Sequence, residues 1–136
     1  MKVLKFLTLI LSLIVFSAQA QPGKKTITLE ADGQPNLKFE EVVHDFGTIA
    51  EGTLAIYEFT YTNNGKTPLI LTDVKPPCSC TTPEWPKEPL APGKSAKIKV
   101  TFDSKGKPGT FSKTIEVKHN GESGRDYITI KGLVGT

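Results

Sequence analysis

The chain has 136 residues, a formal net charge of +3, 38% hydrophobic and 23% charged residues. That length sets an expectation of one domain, and the composition is that of a globular protein. Two of the 17 basic residues, Lys2 and Lys5, lie in an N-terminal segment expected to be removed, which leaves 15 basic against 14 acidic residues. So balanced a charge, with lysines alternating along strands as Lys97 and Lys99 do, excludes the clustered basic face that nucleic-acid binding needs.

Residues 1–20 read as a secretory signal peptide. Lys2 and Lys5 form its positive region, residues 6–16 its apolar run, and Ala18-Gln19-Ala20 the small-residue cleavage site. The apolar run is about half of the ~20 residues a membrane-spanning helix requires. No cysteine follows it, so a lipid anchor is not expected either. The mature protein is therefore expected to be secreted or periplasmic, with no integral membrane segment, in a compartment where disulfides persist. Residues 21–37 read as a polar leader with a possible edge strand over 26–31, and residues 38–136 as the domain.

Within that domain the spacing predicts strands. Over 38–46, Val42, His44 and Phe46 share one face at period two, and Gly47 allows a bend. Over 53–63, Ala55, Tyr57, Phe59 and Tyr61 line one face. Asn63-Asn64-Gly65-Lys66 has the composition of a hairpin turn, because Asn and Gly tolerate positive φ. It is expected to pair 53–63 antiparallel with a strand over 69–74. Residues 76–93 hold six prolines and are expected to form an unladdered loop, pinned by Trp85 and Leu90. Residues 95–103 alternate cleanly, with Ala96, Ile98, Val100 and Phe102 inward. Further strands follow over 111–119 and 125–134. No helical period appears. About seven short strands in this length predict an all-β, immunoglobulin-like antiparallel sandwich.

Several separated motifs resemble one family. They are His44-Asp45-Phe46-Gly47-Thr48-Ile49 with Glu51-Gly52, and Asn63-Asn64-Gly65-Lys66-Thr67-Pro68-Leu69. Cys78-Ser79-Cys80-Thr81-Thr82-Pro83 and Leu90-Ala91-Pro92-Gly93-Lys94-Ser95 follow, then Phe102-Asp103-Ser104-Lys105-Gly106-Lys107-Pro108-Gly109. In this order they resemble domain-of-unknown-function family 1573 over about residues 39–134. Ser79 stands where that family usually has Gly. The family is similar to bacterial and ciliary immunoglobulin-like modules that mostly serve in assembly and adhesion. The resemblance implies a secreted or periplasmic sandwich domain and no established reaction.

Cys78 and Cys80 are the only cysteines. Within one chain they can pair only with each other, and only if Ser79 sits in a bend. So short a ring contributes little loop entropy, so a purely stabilising staple explains the pair poorly. A disulfide, passive thiols, metal binding, thiol exchange and an intermolecular bridge all remain open. For a metal, two thiolates suit copper(I), while zinc would need His44 and His119 as well. The pattern places His44 partly buried in a strand and His119 exposed at a strand end. For redox chemistry no helix N-terminus is available, Lys75 and Lys87 are the nearby cations, and the Cys-x-x-Cys spacing is absent. No Gly-x-Ser-x-Gly or His-Glu-x-x-His occurs. His44 and Asp45 point to opposite faces of a strand and cannot form a dyad. Trp85 reads either as a cap on the core or as a binding anchor. The expectation is a non-catalytic, cofactor-free module of the bacterial cell envelope that binds a protein partner. The alternative is copper, zinc or thiol handling by Cys78 and Cys80.

Overall fold

The structure, a computed structural model, describes residues 33–136. The signal peptide, most of the leader and the strand expected over 26–31 lie outside the described residues. Eight strands form two four-stranded sheets. They are β1 (Leu37–Phe39), β2 (Val43–Ala50), β3 (Leu54–Asn63), β4 (Leu71–Lys75), β5 (Thr81–Glu84), β6 (Ser95–Asp103), β7 (Gly109–His119) and β8 (Arg125–Gly135). One sheet has the order β1-β3-β6-β5 and the other β2-β8-β7-β4. The inward rows meet between them. Phe59, Tyr61, Ile98, Val100 and Phe102 come from the first sheet, and Ile115, Val117, Ile128 and Ile130 from the second. This is the alternation of apolar and polar residues expressed as two half-buried sheets.

The six strands expected within the domain, which with the possible edge strand over 26–31 make up the expected seven, become eight for two reasons. The strand predicted over 38–46 is split. Leu37–Phe39 pairs with β3, the chain crosses the sandwich, and Val43–Ala50 pairs with β8 in the other sheet. Val42 lies at this crossing and is half exposed rather than inward. The β2–β8 pairing is parallel, the exception in an otherwise antiparallel sandwich. It shifts register between Asp45 and Thr48, where Gly47 adopts φ +67° and donates its N–H to Asp45 Oδ1 at 2.8 Å.

The second new strand arises inside the proline-rich segment, which was expected to be unladdered. Residues 81–84 pair with β6, with Pro83 opposite Val100. Asp103 donates to Cys80 O at 2.9 Å, so the N–H groups of β5 that face β6 belong to even-numbered residues. Pro83 therefore turns its donor-less nitrogen toward the outer edge, where a proline costs no ladder bond.

The turn over 63–66 does not make a hairpin. β3 pairs with β1 and β6, whereas β4 pairs with β7 in the other sheet. The turn is a corner between sheets, held by Asn63, which is fully buried. Its Nδ2 donates to Thr67 O at 2.8 Å and Leu90 O at 2.9 Å, and its Oδ1 accepts from Gly65 N at 3.0 Å. Gly65 is needed for close approach rather than for positive φ, since a Cβ there would come within 2.6 Å of Asn36 N.

Candidate functional site

The residues after β4 turn sharply, and Cys78 and Cys80 are joined as a disulfide with Cα atoms 5.3 Å apart. Ser79 occupies the bend that this ring requires and is exposed. Backbone bonds hold the turn independently of the sulfurs. Thr81 N donates to Cys78 O at 3.3 Å, and Asp103 N to Cys80 O. Cys78 and Cys80 are both partly exposed, and Cys80 packs against the core. Thr81, buried at 2% exposure, places its Oγ1 3.7 Å from each sulfur. The turn thus offers a reachable disulfide with one hydroxyl donor beneath it.

Trp85 packs against the core at the far end of β5, as does Leu90, in agreement with their expected role as pins. Lys87 Nζ lies 3.0 Å from the Trp85 ring centroid, a cation–π contact that draws this cation to the indole. The indole Nε1 is buried without a hydrogen-bond partner.

The two histidines stand apart from the cysteines. His44 is partly buried, its ring stacked on Tyr57 with centroids 3.5 Å apart. His119 is buried, contrary to its expected exposure at a strand end. The cause is polar satisfaction. Gly121 N donates to His119 Nδ1 at 3.0 Å, and His119 Nε2 lies 2.9 Å from Asp126 Oδ2. With Nδ1 accepting, Nε2 carries the proton and donates to the carboxylate. Ser123 Oγ approaches the same Nε2 at 3.3 Å. Serine and carboxylate therefore share one ring nitrogen, whereas a hydrolytic triad needs them on opposite nitrogens. His119 faces Leu71 at the start of β4, and the Cys turn follows the end of β4, so the two lie at opposite ends of that strand. The four-ligand set Cys78, Cys80, His44 and His119 is not assembled. Among the described residues no group of three or more His, Cys, Asp or Glu side chains could hold a metal ion.

A feature missed in the sequence lies on β3. β1 pairs with β3 only from Asn63 back to Tyr61, and one further bond joins Glu40 N to Thr60 O at 3.0 Å. β1 then leaves for the other sheet. In β3 the odd-numbered residues direct their backbone groups at β6, as Asn63 N does to Lys94 O. Leu54, Ile56 and Glu58 therefore point N–H and C=O toward the vacated side, where they meet no ladder partner among the described residues. Leu54 is 59% exposed and Ile56 51%. Close by, the Tyr57 hydroxyl donates to Glu41 Oε2 at 2.7 Å. That bond, with a smaller contribution from burial, holds the Tyr57 pKa above its usual value. The result is a short open strand edge flanked by aliphatic side chains.

Two sheets packed face to face, with an N-terminal strand that switches between them, define an immunoglobulin-like β-sandwich. The chain belongs to the family described as "Protein of unknown function (DUF1573)", which residues 37–134 match. Its sequence matches no curated protein. Among solved structures it is similar to a protein of unknown function from Porphyromonas gingivalis W83, with TM-score 0.62 and 18% identity over 75% of this chain. The chain spans 47% of that protein's length. It is similar to the ASH/PapD-like domain 7 of human CEP192, with TM-score 0.60 and 13% identity over 75% of this chain and 87% of that one. It also resembles the E. coli chaperone DraB, with TM-score 0.51 and 13% identity over 74% and 55%. At these identities the likeness establishes the fold. Among the described residues no helix is long and apolar enough to cross a membrane.

Proposed function

We propose that this domain is a non-catalytic binding or assembly module of the bacterial cell envelope, secreted or periplasmic, that accepts an extended segment of a protein partner along β3. The observation that carries the reading is the open edge at Leu54, Ile56 and Glu58. Unpaired strand groups are a template for an added strand, and neighbouring side chains give such pairing its selectivity. The opposite edge of this sheet is blunted by Pro83. The fold it shares with a chaperone such as DraB supports the same class of role. The signal-peptide pattern of residues 1–20 supports the address.

Amide hydrogen exchange tests this directly. In the isolated domain the amides of Leu54, Ile56 and Glu58 should exchange fast while those of Ala55, Tyr57 and Phe59 are protected. A partner isolated from the cell envelope should protect the first three. Glu58→Pro removes one outward N–H without touching the β6 ladder, and it should abolish binding with the fold intact. Binding that leaves these three amides unprotected and survives Glu58→Pro would overturn the reading.

A further inference from the structure

We propose that Cys78–Cys80 is a thiol–disulfide exchange site, which takes an exposed cysteine of a partner protein as a mixed disulfide on Cys78. The inference goes beyond strand capture and rests on different residues. Three observations carry it. The ring spans two positions of sequence, and backbone bonds from Thr81 N and Asp103 N already hold its turn, so opening the S–S bond leaves the local fold in place. The two sulfurs are not equivalent, because Cys80 packs on the core while Cys78 follows the exposed Pro76 and Pro77. And Thr81, buried and 3.7 Å from both sulfurs, supplies a hydroxyl that can donate to whichever sulfur becomes anionic.

The step balances without an added oxidant. The partner's thiolate attacks Cys78 Sγ, a new S–S bond forms, the Cys78–Cys80 bond breaks, and its electron pair leaves on Cys80 Sγ. Thr81 Oγ1 donates a hydrogen bond to that thiolate, which then takes a proton from water. Attack by Cys80 on Cys78 restores the ring and returns the partner's thiol unchanged. If the partner holds a second thiol, that thiol attacks the partner's own sulfur instead. The partner then leaves as a disulfide, and Cys78 and Cys80 are both reduced. Thr81 is a positioning residue here: it tunes the leaving sulfur and touches no substrate.

The test incubates the folded domain with reduced glutathione, quenches with acid, alkylates free thiols and locates the adduct by peptide mass spectrometry. The adduct is expected on Cys78 at least tenfold over Cys80, while circular dichroism and Trp85 fluorescence show the fold unchanged. Thr81→Val should slow ring opening about tenfold, the effect of losing one hydrogen bond to a charged group, and Thr81→Ser should keep the rate. A bond that opens only when denaturant unfolds the domain would overturn the proposal. So would an adduct mainly on Cys80, or Thr81→Val reacting as fast as the native domain. If Thr81→Val fails to fold, the adduct's position on the native domain decides alone. Protection of the Leu54, Ile56 and Glu58 amides is read independently, so failure of exchange and failure of strand capture are distinguishable.

Discussion

The His44 imidazole lies flat on the Tyr57 ring, with centroids 3.5 Å apart and planes 7° from parallel. His44 is on β2 and Tyr57 on β3, so the stack ties the two sheets together just where the N-terminal strand has crossed between them. Phe46 adds an edge contact to His44 at 4.7 Å, and Phe59 one to Tyr57 at 4.9 Å. An aromatic pair contributes about 1 kcal/mol beyond the area it buries. His44→Ala should therefore lower unfolding stability by about 1–2 kcal/mol in a urea titration. It should also speed hydrogen exchange through β2. Tyr57→Phe keeps the stack and gives up only the solvent-exposed bond to Glu41, so it should cost less than His44→Ala.

Asn63 is the side chain on which the corner between sheets depends. Its amide nitrogen serves two carbonyls, those of Thr67 and Leu90. Asn63→Ala would leave Thr67 O and the Gly65 N–H without these partners and take one of its two donors from Leu90 O, which keeps Leu69 N, at about 1–3 kcal/mol for each group left unsatisfied. A loss of roughly 3 kcal/mol or more in chemical denaturation is expected, a large share of the stability of a domain this size. Asn63→Asp should be worse. It keeps the shape but sets a carboxylate oxygen against two carbonyls in a fully buried place. A change of less than 1 kcal/mol for either variant would mean that the corner is held elsewhere.

These two residues show what a local reading of the sequence reaches. Alternation along 95–103 reproduces Ser95–Asp103, because an amphipathic period is set by which face meets the core. The partner of a strand is not a local property. Asn-Asn-Gly signals a turn, and a turn there is; whether the chain returns beside its own strand or crosses to the opposite sheet depends on the Leu69–Leu90 bridge, residues far apart in sequence. For the same reason the open edge of β3 was invisible, since it exists only because β1 departs after Phe39. The Cys turn and Trp85 were legible as uncommon residues among prolines. The burial of His119 was not, because it depends on Asp126, Ser123 and Gly121 in the following hairpin.

The two tyrosines of β3 make the fold sensitive to alkali. Burial raises the pKa of Tyr61, and the bond to Glu41 raises that of Tyr57. In the unfolded chain both phenols ionise near the ordinary value of about 10. The folded state holds its protons to higher pH. This contribution is present in full below about pH 10 and is lost as pH rises through the raised folded values, because the unfolded state then releases protons more readily. Unfolding free energy should fall across this window, and tyrosinate absorbance should lag in the folded protein. Tyr61→Phe should flatten the fall. An equally steep decline in that variant would assign the alkaline sensitivity to other groups.

Removal of the disulfide should cost little stability, which separates an exchange site from a staple. A cross-link stabilises chiefly by restricting the unfolded chain, and the restriction grows with the loop it closes. For a loop of three residues the loop-entropy relation gives about 1.6 kcal/mol, against roughly 3 for a fifteen-residue loop. The turn also keeps its backbone bonds at Thr81 and Asp103 when the sulfurs part. Cys78→Ser combined with Cys80→Ser should therefore lower unfolding stability by no more than about 2 kcal/mol. The variant should retain the fast-exchanging amides of Leu54, Ile56 and Glu58 and bind any strand partner as the native domain does. Thiol exchange should vanish entirely. A loss of 4 kcal/mol or more would mean that the bond organises β5 against β6, and that its place in this fold is structural.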